Sequence, residues 1–148
     1  MKTYAFSIFT LIFVLFSLGS CGNPTVSNST SGIRTGAEQT EKYLPLLKGK
    51  RVAIVANQTS IIGKTSLVDS LKSLQVNIVK IFGPEHGFRG TASAGAVVSD
   101  SIDAKTGIPE ISLYGKKSKP SKEDLVNVDV VVFDIQDVGA RFYTYINL

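Results

Sequence analysis

The chain has 148 residues, 43% of them hydrophobic and 19% charged, with a formal net charge of +4. That length suffices for one small domain after a removable start, and not for two. The positive charge comes from scattered lysines rather than an Arg/Lys block, which speaks against nucleic acid as the partner. In chain order, Lys2 precedes an apolar run from about Ala5 to Leu18. The run is roughly 14 residues, short of the ~20 a spanning helix needs, so a signal peptide is predicted over 1–20.

Leu18-Gly19-Ser20-Cys21 has the pattern of a bacterial lipobox, at which Cys21 is lipidated and becomes the new N-terminus. Cys21 is the sole cysteine, which excludes a disulfide framework and a cysteine-based metal site. Residues 21–35 are rich in Ser, Thr, Asn and Gly and predict a flexible tether. The expectation is an exported lipoprotein, anchored to a membrane and facing the periplasm or the cell surface.

The domain, expected over 36–148, alternates strand, loop and helix. Arg51 to Ala56 is a short apolar run, suited to a buried parallel strand. Leu67, Val68, Leu71 and Leu74 recur at helical spacing within Ser66–Leu74. Val76 to Phe82 predicts the second strand and Ile111 to Tyr114 a short third one. Between them lies a long polar loop. Ser121 as N-cap, with Asp124 three residues on, predicts a helix start within 119–124. Val128 to Phe133 is the fourth strand, and Gly139 to Leu148 opens another helix. This order implies an α/β fold with a mostly parallel sheet and helices on both faces.

Open α/β sheets bind ligands at the carboxyl ends of their strands. The polar residues of this chain collect there: Asn57 and Gln58, then Glu85 and His86, then Tyr114, then Asp134, Gln136, Asp137 and Arg141. A polar cleft is the economical explanation. No G-x-G-x-x-G follows a strand, so a dinucleotide site is excluded. Gly63-Lys64-Thr65 resembles the tail of a P-loop, but Gln58 stands where the first glycine is needed, and a helix start explains the stretch better. His86 is the only histidine and has no H-x-x-x-H partner, so neither a metal nor a cofactor is expected.

Acid–base chemistry remains. In Phe82-Gly83-Pro84-Glu85-His86-Gly87-Phe88-Arg89-Gly90, the proline and glycines dictate a sharp turn that aims Glu85 into the cleft. The alternative is that Glu85 merely caps the turn. Asp137 has a similar alternative as a helix cap pairing with Arg141 one turn on. Phe142, Tyr143 and Tyr145 suit packing at least as well as sugar stacking.

Taken together, GKRVAIVANQTS, FGPEHGFRG, DAKTGIPEISLYG and FDIQDVGARFYTY resemble the NamZ-type exo-β-N-acetylmuramidases. The resemblance covers the chain from about Gly36 onwards. It implies a Rossmann-like domain belonging to a larger two-domain protein. It also implies an exo-acting glycosidase that releases N-acetylmuramic acid from the non-reducing ends of peptidoglycan fragments. The family's proposed acid maps onto Glu85. Beside it, we expect His86 to orient Glu85, Asp134 to supply a second carboxylate, with Asp137 behind it, and Arg89 or Arg141 to hold the sugar's carboxylate. Members of the family are longer than this chain, so 36–148 reads as a truncated catalytic domain. A non-catalytic, membrane-tethered muropeptide-binding module or a remnant is the alternative.

Overall fold

The computed structural model describes residues 32–136 and 138–140. Helix α1 (Thr40–Leu47) leads into strand β1 (Val52–Ala56). A hairpin of β2 (Ile61–Ile62) and β3 (Thr65–Ser66) then feeds helix α2 (Leu67–Ser73). Strand β4 (Ile78–Gly83) follows, then β5 (Ser101–Ile102), β6 (Pro109–Ser112) and β7 (Val130–Asp134). The five-stranded sheet has the order β5-β6-β4-β1-β7. Strands β6, β4, β1 and β7 are parallel, and only β5 runs against its neighbour. Counting the parallel strands in chain order, the sheet reads 3-2-1-4, the Rossmann arrangement, whose order reverses between β1 and β7.

Strand β1 forms because Val52-Ala53-Ile54-Val55-Ala56 has no polar side chain to expose, and all five residues are buried. Val52, Ile54 and Ala56 point to one face, where Leu47 of α1, Leu67, Val68 and Leu71 of α2, and Ile81 join them. Ala53 and Val55 point to the other, against Phe82 and Leu113. Both described helices thus pack on one face. The opposite face is closed by chain from the β6–β7 connection. Residues 141–148, where a further helix was expected, lie outside the described residues, as do Cys21, Asp137 and Arg141.

Two expected elements differ. Gly63-Lys64 is neither phosphate loop nor helix start but the two-residue tip of the β2–β3 hairpin. Gly63 has φ +60 and Lys64 does not share the positive angle, the pattern of a type II′ turn. The helix expected at 119–124 is a succession of turns. Its capping box forms: Ser121 N–H donates to Asp124 Oδ2 at 2.8 Å, and Asp124 N–H to Ser121 Oγ at 3.2 Å. The helix fails to propagate because Asn127 adopts φ +64, and Arg51 grips both Asn127 and Asp129, drawing the chain straight into β7. Lys80 takes up the main-chain oxygens of Asp124 and Val126 that a helix would have bonded internally.

At the start, Arg34 pairs with Glu41 and Thr35 bonds Glu38, so the chain is tied to the domain before Gly36. At the other edge, β7 is the outermost described strand, and its Val131 and Phe133 are 45% and 47% exposed. Burial therefore predicts a contrast between the helix-covered face and the exposed strand edge. Leu71→Ala, at a fully buried site, should cost about 3 kcal/mol in chemical denaturation. Val131→Thr should stay within about 0.5 kcal/mol of wild type. Equal costs would mean that β7 is covered in solution.

Candidate active site

The turn after β4 is built around a half-buried acid. Glu110, on the neighbouring strand β6, accepts the Phe88 N–H at 2.8 Å from beneath. Its carboxylate fills the space where a Cβ on Gly83 would sit, and such a Cβ would also come within 2.9 Å of Phe88 N. Glycine at 83 is a packing requirement. Main-chain bonds from Gly87 N–H to Pro84 and from Gly90 N–H to Gly87 then wind the chain tightly. His86 and Gly87 both take φ +72, a left-handed pair in which only the glycine is at ease.

The strained histidine has a partner that holds it. His86 Nδ1 lies 2.8 Å from the Ala92 main-chain oxygen. A carbonyl can only accept, so Nδ1 carries the proton. His86 therefore braces the 91–100 loop, and its hydrogen bond goes to Ala92 rather than to Glu85. Glu85 itself is half-buried. Its Oε1 accepts the Gly95 N–H at 3.3 Å, and the Tyr114 phenol stands close enough to feel its charge. That carboxylate raises the Tyr114 phenol above its ordinary value and keeps it protonated.

Gly95 and Tyr114 both line a cavity of about 950 Å³, whose walls are residues 95–100 on one side and Ser112 with 114–117 on the other. Asp100 Oδ1, accepting the Ser112 N–H at 2.8 Å, closes one end. The structure thus brings Glu85 and Tyr114 together at the edge of a cavity formed at the carboxyl end of β6.

The remaining expected residues divide. Gln58 lies against the turn, its side chain where a Cβ on Gly90 would fall. Asn57 is buried, and its Oδ1 is taken by Thr59 N–H and Oγ1 at 2.9 and 2.7 Å, so it shapes the loop after β1. Ser60 ties that loop to β7 by donating to the Asp134 main-chain oxygen. The Asp134 carboxyl is pushed up by burial. It stands at the end of β7, two strands from β4, which is about 10 Å of lateral spacing. Gln136 is exposed.

Arg89, expected to bind a sugar carboxylate, does not offer its guanidinium to a ligand. It bonds Asp103 at 2.5 and 2.7 Å and Asp69 at 3.0 and 3.3 Å. Both acids are held below the usual carboxylate range, Asp103 far below, chiefly by this guanidinium. Arg89 is a brace between α2 and the chain entering β6. Sequence reasoning also missed Glu110; an acid inside an otherwise strand-like PEIS was the available signal.

Residues 52–148 match the family described as exo-beta-N-acetylmuramidase NamZ, N-terminal. The chain belongs to this family. It is 52% identical over 108 residues to the peptidoglycan beta-N-acetylmuramidase NamZ of Bacillus subtilis (strain 168), a match covering 70% of this chain and 26% of that protein. Two solved DUF1343 family proteins of Bacteroides fragilis NCTC 9343 share the fold. One is 48% identical with a TM-score of 0.62, covering 74% of this chain and 27% of the other. The second is 43% identical with a TM-score of 0.63, covering 73% and 27%. The chain thus spans about a quarter of the length of these NamZ-family relatives. The α/β, Rossmann-like fold expected from the sequence is the fold of the family.

Glu110 generates a pH prediction. Burial raises its carboxyl above the ordinary value, so the folded chain binds that proton more tightly than the unfolded one. Stability tied to Glu110 is present at low pH and falls as pH rises through the folded value. Glu110→Gln keeps an acceptor for Phe88 N–H without the charge. The variant should match wild type near pH ~4 and gain on it towards pH ~7, measured as urea midpoints. A variant that loses ground as pH rises would show a charged, stabilising Glu110.

Proposed function

We propose that this chain carries the acid of an exo-acting glycosidase that releases N-acetylmuramic acid from the non-reducing ends of peptidoglycan fragments. The observation that carries this reading is Glu85 held by Gly95 N–H, with the Tyr114 phenol beside it, at the edge of the cavity. The family match and the name of the Bacillus relative give the substrate class.

In this reading Glu85 donates its proton to the glycosidic oxygen as the C1–O bond breaks, and the leaving sugar departs as an alcohol. Water adds at C1 and loses a proton to a general base. Asp134 is the candidate base among the described residues. The substrate's own acetamido group is the other candidate for the nucleophile. His86 acts as a positioning residue through Ala92. Tyr114, Gln58 and Gln136 are the polar rim that meets the sugar. Asp137 and Arg141 keep their expected binding roles as part of the proposal.

Glu85→Gln should lower hydrolysis of a muramic-acid-terminated disaccharide by about 10²–10⁴-fold while leaving sugar binding intact. Equal cleavage by wild type and variant would remove Glu85 from the mechanism. Binding without any hydrolysis by wild type would favour a muropeptide-binding module instead.

The same proposal sets the protein outside the cytoplasm, held by lipid on Cys21. The lipobox pattern supports it. Metabolic labelling with a fatty acid should mark the wild-type chain and not Cys21→Ser; labelling of both would refute the anchor.

A further inference from the structure

The proposed substrate carries a carboxylate on its lactyl group, and the cation expected to meet it is committed elsewhere. All the described contacts of the Arg89 guanidinium run to Asp69 and Asp103, apart from its stacking 4.5 Å above the Phe88 ring. A ligand carboxylate would have to displace two protein carboxylates from it. The cavity beside Glu85 has its own cations, Lys116 and Lys117. They are not equivalent. Lys117 Nζ is fixed on Asp124, at 2.8 and 3.0 Å from its two oxygens. Lys116 lines the cavity, is exposed, and makes no ion pair or hydrogen bond among the described residues.

Lys116 is also placed by the same short segment that places Tyr114. Tyr114 lines the cavity beside the acid, and two residues on, past Gly115 at φ +87, Lys116 lines it too. One stretch of chain after β6 therefore presents a proton donor's partner and an uncommitted ammonium to the same space. The lining carboxylate, Asp100, accepts the Ser112 N–H through Oδ1 and makes no ion pair with Lys116 among the described residues.

We infer that Lys116 is the specificity-determining cation of this site, pairing with the carboxylate of an acidic amino sugar whose glycosidic bond lies at Glu85. This rests on the glycosidase reading for the identity of the sugar, but not for the charge selection itself. A lysine serves here as a point charge on a flexible stem, suited to a carboxylate on a mobile ether side chain.

The experiment uses binding as well as turnover, so that the two ideas fail separately. Free N-acetylmuramic acid and its analogue with the lactyl carboxylate reduced to the alcohol are titrated calorimetrically into wild type, Lys116→Met, Lys116→Arg and Arg141→Met. Wild type should prefer the acid by about 10-fold or more, in line with one charge-assisted contact. Lys116→Met should abolish that preference while binding the alcohol as wild type does, and Lys116→Arg should restore most of it. In hydrolysis, Lys116→Met should raise KM for the acidic substrate with kcat nearly unchanged. A preference that persists in Lys116→Met, that disappears in Arg141→Met instead, or that is absent from wild type overturns the inference. Charge-selective binding that depends on Lys116, with no hydrolysis by wild type, would uphold it and sink the glycosidase reading.

Discussion

The ion pairs of Arg89 organise everything near the site. One guanidinium joins Asp69 of helix α2, Asp103 in the chain entering β6, and the turn that follows β4. Lys105 adds a second cation on Asp69, and the Lys72 ammonium reaches the Thr106 main-chain oxygen from α2. Three segments distant in sequence are therefore locked at one junction. That matters because the turn beside it is strained. His86 and Gly87 in left-handed geometry persist only where the surroundings over-determine them. Arg89 supplies the constraint from one side of the turn and Glu110, through Phe88 N–H, from below.

The two constraints answer to pH with opposite signs. Asp69 and Asp103 are held low by Arg89, so their contribution is in place above the ordinary carboxylate range and fades as pH falls through their folded values. Glu110 and Asp134 are raised, chiefly by burial, so their contribution is greatest at low pH and fades on the way up. The junction and the floor of the turn are thus best satisfied together in a mildly acid interval. The Asp103 and Asp69 side chains are only 5% and 10% exposed, whereas Arg89 is 27% exposed, so water screens both pairs from the guanidinium side.

What the sequence made legible follows the range of the forces involved. Strand β1 was readable because a run buried on both faces carries no polar residue, and the polar rim was readable because each strand ends where that run stops. Strand edges were less so. β6 was expected at 111–114 and pairs over Pro109–Ser112, because Ile102 and Ser101 of β5 provide an antiparallel partner that no local pattern announces. The 119–124 helix failed for the complementary reason. A capping box is a signal spanning four residues, and it formed; whether a helix continues depends on Arg51, 76 residues away from Asn127. The role of Arg89 was illegible on the same grounds, since its partners lie 14 and 20 residues off. Glu110 acts across 22.

His86 was expected to orient Glu85, and its described hydrogen bond runs to the loop instead. The 91–100 loop that carries the cavity wall is fastened at three points: Ala92 to His86, Gly95 to Glu85, and Asp100 to Ser112. Between the fastenings the chain is largely exposed, so the wall takes its position from side chains that reach it from outside. Here Nδ1–H is committed to a carbonyl 2.8 Å away, and the strained backbone at 86 aims the ring at the wall. Glu85 sits one residue earlier in the same bend and faces the cavity's edge. The bend separates two adjacent side chains into two tasks, one presenting the acid and the other holding the surface against which the acid is presented.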